Sequence, residues 1–203
     1  MAFGSGNKAD YTLRSALMGV NNTLTGSQNN ESANTMLTGF HNTADKVSNT
    51  TVIGSENTVT NSKNSLVMGD NREVKDANHA VLIGSTDSKT TTSVNNAVAI
   101  GHNTNVTVEG GVALGSESKS TVAAGAVGYD PSTKAQSTNT DSTWKATKSA
   151  VSVGDANNNI TRQITSVAAG TKDTDAVNVA QLKKVAKSSE CERLYYRQCR
   201  QAY

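Results

Sequence analysis

The sequence predicts an all-β parallel solenoid, and three observations carry that expectation. A phrase of similar residues recurs along the chain, as TTVIGSENT, NSLVMGDNR, AVLIGSTDS, NNAVAIGHNTN and GVALGSESK. Its glycines, Gly4, Gly19, Gly39, Gly54, Gly69, Gly84, Gly101 and Gly115, are separated by 15, 20, 15, 15, 15, 17 and 14 residues, so fifteen is the base period. The composition suits no large globular core, because only 35% of the 203 residues are apolar and 4% aromatic, leaving little surface to offset chain entropy. Disorder is opposed by a net charge of only +2 and by apolar residues gathered in short clusters. Fifteen residues are too few for a helical-hairpin repeat but fit one coil of a solenoid. Eight coils stacked at ~4.8 Å each make a rod of roughly 40 Å.

Position by position, the repeat accounts for itself. Three residues before the glycine stand Met36, Leu66, Val81, Val98 and Val112, and one before it Phe3, Met18, Ile53, Met68, Ile83, Ile100 and Leu114. Lying two apart, these positions share a strand face, expected to point into the coil. The residues between them, Leu17, Leu37, Val52, Val67, Leu82, Ala99 and Ala113, are apolar as well. A strand apolar on both faces should be covered on both, which points to a second copy of the chain and a homo-oligomer. Asn7, Asn22, Asn42 and Asn57 follow the glycine by three and are expected, with glycine, to shape the turns. Leu24, Val59, Val74 and Val106 follow by five and mark a weaker second strand, so each period reads as two strands and two turns. Extra residues near Gly26–Glu31 and in TDSKTTTS are expected in surface turns.

Rival solenoids do not fit. Fifteen is not a multiple of six, the G-G-x-G-x-D calcium repeat is absent, and threonines such as Thr90–Thr92 cluster instead of marking every coil as an ice-binding face requires.

After Gly115 the repeat breaks down, in a segment holding the only proline, Pro131, and the only tryptophan, Trp144. AVSVGD is expected to return as a last repeat strand after a long loop. Asp173, Thr174 and Asp175 are expected to start a helix, since their side chains accept from free backbone N–H groups. Val179, Leu182, Ala186 and Ser189 then begin a heptad seam. The N-terminal MAFGSGNKAD has neither the basic region nor the apolar stretch of a signal peptide, and no run of 18 apolar residues occurs.

The stretch RQITSVAAGTKDTDAVNVAQLKKV closely resembles the neck of the trimeric autotransporter adhesins. The AVAIG-type repeats resemble the YadA-like head of that family, and GYDPST…W…AVSVG resembles the inserted loop of its longer neck form. The resemblance covers roughly residues 1–187. It implies a left-handed parallel β-roll head forming a homotrimer, then a neck and the start of a trimeric coiled coil. The expected divisions are 1–125 head, 126–175 neck with inserted loop, 176–187 start of the stalk, and 188–203 an unassigned tail, SSECERLYYRQCRQAY, unlike the family. In a trimer Val98, Ile100, Val112 and Leu114 are expected in the core, with Asp175, Val179, Leu182 and Ala186 in the neck and stalk. If three tails lie side by side, Cys191 and Cys199 could cross-link subunits; their spacing of eight is unlike a C-x-x-C redox or zinc pair.

The function the resemblance implies is bacterial adhesion: a surface protein, outer-membrane anchored in its full length, attaching to host cells or to matrix proteins such as collagen, fibronectin or laminin. Some such heads bind collagen through NSVAIG repeats. The nearest matches here run Asn64–Gly69 and Asn96–Gly101, making Asn64, Ser65, Asn96, Ala97, His102 and Asn103 the candidate ligand residues. No catalytic, cofactor or metal site is expected. His41, His79 and His102 sit two after, five before and one after their glycines, so they form no common ladder, and the carboxylates are dispersed. No phosphate loop or nucleophile elbow occurs. Nucleic-acid binding is not expected either, because basic residues concentrate only in Lys183–Arg200 without aromatic platforms. Two other readings are a ligand-free spacer within a surface fibre and a trimeric phage fibre built on the same logic.

Overall fold

A computed structural model describes residues 1–188. It is a parallel β-solenoid of about eight turns. One nine-stranded parallel sheet runs its length, built from Ala2–Ser5, Ala16–Val20, Met36–Phe40, Thr51–Ser55, Leu66–Asp70, Val81–Ile83, Val98–Ile100, Val112–Leu114 and Val151–Ser152. Successive strands pair in register, Gly39 with Gly54 and Gly54 with Gly69. The glycine is obligatory here. Gly54 has φ +132°, and a Cβ on it would lie 1.9 Å from the Gly69 carbonyl oxygen.

A second parallel sheet holds six strands, Lys8–Asp10, Thr23–Thr25, Thr43–Asp45, Thr58–Thr60, Arg72–Lys75 and Thr90–Thr92. After a break, Asn105–Val106 pairs with Lys119–Ser120. Each coil also has a third, short side, which the expected two strands and two turns did not include. Thr12–Leu13 pairs with Ser32–Ala33, and isolated bridges join Ala33 to Ser48 and Ser48 to Lys63. Three corners turn through left-handed residues, as at Glu56, Asn61 and Asn64, with φ 59°, 49° and 55°. Polar composition made the third side read as turn.

The inward assignment is reversed on the first sheet. Leu17, Leu37, Val52, Val67, Leu82, Ala99 and Ala113 are at most 1% exposed and form the core with Leu24, Ala44, Val59, Val74 and Val106. The flanking positions face outward: Val98 and Val112 are half-buried, while Ile100 is 39% and Leu114 36% exposed. A two-residue period shows which side chains share a face, not which face turns inward. The coil is narrow, and one side chain per strand fills it.

Beyond the repeats, Tyr129–Asp130 and Ala135–Gln136 form an antiparallel hairpin, with Asp130 accepting from the Ser132 amide and hydroxyl around Pro131. The chain then returns, and Val151–Ser152 adds to Val112–Ala113 as the last strand of the first sheet.

The one α-helix of the described residues spans 179–188, four residues later than Asp175. Asn178 caps it: its Oδ1 accepts from the Gln181 amide at 3.1 Å while Gln181 Oε1 accepts from the Asn178 amide at 3.2 Å, a reciprocal capping box. Asp175 instead closes the preceding loop, accepting from the Thr171 and Lys172 amides. Those bonds, the Thr171 amide first, hold its carboxyl below the usual range. Ser189, Cys191, Cys199 and the rest of the expected tail lie outside the described residues.

Candidate functional site: an internal polar ladder and an unpartnered outer face

Three residues after Gly19, Gly39 and Gly54 the side chain turns inward, not into a turn. Asn22, Asn42 and Asn57 are fully buried. Each donates from Nδ2 to the next coil's glycine carbonyl: Asn22 to Gly39 at 2.9 Å, Asn42 to Gly54 at 2.6 Å, Asn57 to Gly69 at 2.6 Å. Each Oδ1 accepts from the next coil's backbone, Asn22 from the Asn42 amide at 3.1 Å and Asn42 from the Asn57 amide at 3.2 Å. The ladder satisfies backbone groups that the glycine kink removes from the sheet. Left-handed φ values fall instead on the residue before, as at Asn21 (55°) and His41 (55°).

The next rung is Arg72, fully buried. It replaces an asparagine and reaches across two further coils. Nε donates to Gly84 O at 2.7 Å, Nη1 to Thr104 O at 2.6 Å, and Nη2 to Gly101 O at 3.0 Å and Thr104 Oγ1 at 2.9 Å. All four acceptors are neutral. Burial lowers its pKa to about 10, which leaves it cationic at neutral pH. Arg162 closes the far end, donating to Val153 O at 2.6 Å, Ser116 O at 2.7 Å and Ser118 Oγ at 3.2 Å. The sequence carried a signal for this row: Arg72, Thr104 and Ser118 stand at the same offset from Gly69, Gly101 and Gly115 as the asparagines from theirs.

The collagen-motif residues divide by burial. Ser65 is 4% exposed and Ala97 fully buried, so neither presents a surface to a ligand; the Ser65 hydroxyl bonds Lys63 O and the Ala80 amide within the stack. Asn64 and Asn96 lie exposed at one corner. There Asn34, Asn49, Asn64 and His79 form an outer ladder, Asn49 Nδ2 to Asn64 Oδ1 at 3.1 Å and Asn64 Nδ2 to His79 Nε2 at 3.3 Å. His102 and Asn103 occupy a different corner, both on Asp87, at 3.1 and 2.7 Å. The Asn103 bond first, then the His102 charge, hold the Asp87 carboxyl below its usual range. The three histidines do not meet: His41 pairs with Glu56 at 2.9 Å. Among the described residues, no cluster of three or more His, Cys, Asp or Glu could hold a metal.

What the described chain does present is one apolar outer face. Met18 (44%), Met68 (36%), Ile100 and Leu114 line the first sheet along the rod. Val151 (62%) extends it on the last strand, and Ile164 (72%), Val179 (67%) and Leu182 (63%) are further exposed apolar residues of the C-terminal segment. Ile164, Val167, Val177 and Val179 line an open groove of about 730 Å³ between the loop at 163–167 and the start of the helix. That loop is rigidly tied: Gln181 bonds both backbone groups of Gly170, and Asn178 Nδ2 bonds Val167 O.

Residues 163–190, which include this loop and helix, match the family model for the coiled stalk of trimeric autotransporter adhesins. Over part of its length the chain is similar to trimeric autotransporter adhesins. It is 56% identical over 62 residues to the autotransporter adhesin BadA of Bartonella henselae, a match covering 30% of this chain and 2% of that protein. It is also 56% identical over 66 residues to the trimeric autotransporter adhesin AtaA of Acinetobacter sp. (strain Tol 5), with the same coverage of 30% and 2%. The chain thus matches about 2% of the length of these adhesins. No helix of its described residues is long and apolar enough to cross a membrane.

Proposed function

We propose that this chain is the head and neck of a homotrimeric adhesin at the bacterial surface, anchored in the outer membrane by the longer protein, and that it attaches to host cells or matrix without catalysis. The head spans 1–125, the neck 126–175 and the stalk begins at 176–187. The apolar outer face of the first sheet carries this reading, because large exposed apolar patches mark interfaces. Three first sheets packed together cover Val98, Ile100, Val112 and Leu114, and Val179, Leu182 and Ala186 begin a three-stranded seam. The polar second sheet then faces outward, with Thr23, Thr43 and Thr58 in register. Asn64, Asn96 and His102, which are exposed, and the half-buried Asn103 remain the candidates for ligand contact.

Light scattering tests the assembly: a mass near three times 21.1 kDa is expected, with and without reductant. A monomer overturns the reading. Solid-phase binding to collagen, fibronectin and laminin then tests adhesion. A trimer that binds none of them is a ligand-free spacer, a reading favoured by the burial of Ser65 and Ala97.

A further inference from the structure

The coils are not joined equally. From Lys8–Asp10 to Thr90–Thr92 the second sheet is unbroken. Within it, the Thr23 amide donates to Asn42 O and the Thr43 amide to Asn57 O, both at 2.8 Å. At the next step, among the described residues, no backbone hydrogen bond joins Thr90–Thr92 to Asn105–Val106. The acceptor equivalent to Asn42 O and Asn57 O is Thr104 O, and Arg72 occupies it. The Val106 amide turns to the Asn105 side chain at 2.8 Å. Thr92 Oγ1, in a residue 1% exposed, has no partner. The apolar filling also shrinks, from Leu82 to Ala99 and Ala113.

The insertion TDSKTTTS explains the break. It lengthens the interval between glycines to 17 residues and brings Thr90, not a buried asparagine, opposite Arg72. Several ties still cross the seam, among them two corner bonds, from the Asn103 amide to Ser85 O at 3.0 Å and from the Asn96 amide to Asn78 O at 2.8 Å. On the first sheet Val81, Leu82 and Ile83 pair with Val98, Ala99 and Ile100. Inside, Arg72 holds Gly101 and Thr104. Outside, Asp87 holds His102 and Asn103, and its amide donates to Asn103 Oδ1 at 2.9 Å.

In a stacked-repeat protein, stability is a sum of repeat terms and nearest-neighbour interface terms, so the weakest interface divides the cooperative units. We infer that the solenoid consists of two blocks, residues 1–92 and 98–162, hinged on the first sheet and opening on the second, with Arg72 as the tether that keeps the seam closed. The hinge gives a rod that is otherwise uniform a single compliant point, located between the bulk of the head and the neck.

Hydrogen exchange on the full chain tests this, in wild type and in Arg72→Met and Asp87→Ala. In wild type, peptides covering 98–120 are expected to exchange about tenfold faster than those covering 36–60, the pattern of sub-global opening. Arg72→Met raises exchange across 98–120 by about a further tenfold while 36–60 keeps its protection, and Asp87→Ala does the same to a smaller extent. Equal protection on the two sides of the seam in wild type overturns the inference. So does an Arg72→Met loss spread evenly over all coils. If Arg72→Met does not fold, the wild-type comparison and Asp87→Ala decide.

Discussion

Arg72 and Thr92 show opposite outcomes for a buried polar group. Arg72 finds four neutral acceptors and holds three coils together. Thr92 occupies an inward position filled by valine in neighbouring coils, such as Val74 and Val106, and its hydroxyl bonds nothing. A buried unsatisfied hydroxyl costs about 1–3 kcal/mol. Thr92→Val, nearly the same volume, is expected to stabilise the solenoid by about 1 kcal/mol, read as a higher denaturant midpoint with unchanged slope. A lower midpoint would mean that the hydroxyl has a role the buried environment conceals. Neither residue was legible as interior from the sequence. The asparagines of the same row were visible as a pattern but read as turn formers, because asparagine favours left-handed backbone. Only the inward direction of the row, a tertiary fact, separates the two roles.

The helix over 179–188 depends on a local motif. Asn178 and Gln181 cap each other and together grip Gly170 and Val167, so one box both starts the helix and fixes the loop below it. Asn178→Ala is expected to cost about 1 kcal/mol. Thermal melts followed by circular dichroism check this, and an unchanged midpoint would show that packing alone sets the helix start. Asp173, Thr174 and Asp175 were plausible caps by residue type. Asp175 lost that role because its carboxylate is satisfied by the Thr171 and Lys172 amides four and three residues earlier. The returning strand at Val151–Ser152 was easier to read, since Val151 and Val153 stand three and one before Gly154 as Val98 and Ile100 stand before Gly101. The third side of the coil was not, because its isolated bridges have no apolar alternation outside the core.

Across the rod, the period and the register were readable from the glycines, whereas the sidedness of the first sheet was not. Both faces are apolar, so the sequence alone leaves two assignments open, and the narrow interior decides between them. Ala99 and Ile100 give a direct comparison. Ala99→Asp places an unpaired charge in the core, at a cost of several kcal/mol, and is expected to unfold the coil stack. Ile100→Asp leaves the solenoid folded by circular dichroism and reduces the proposed trimer to monomer by light scattering. If Ile100→Asp leaves the mass unchanged, the outer face is not the trimer interface.

The asparagine ladder has a consequence for how such a rod can change over generations. Every rung meets the next coil in the same way, its Nδ2 donating to the glycine carbonyl and its Oδ1 accepting from the asparagine amide, and the strands of adjacent coils meet glycine on glycine. Duplicating one coil among residues 16–60 therefore inserts a segment that already fits both neighbours, so reach can grow or shrink in whole steps without redesign. Arg72 interrupts that freedom. Its guanidinium binds Gly84, Gly101 and Thr104 at fixed reach, and an extra coil placed between them would pull those carbonyls from its grasp. Copy-number variation in this rod is thus expected on the N-terminal side of Arg72, with the coils between it and Thr104 inherited as a single unit.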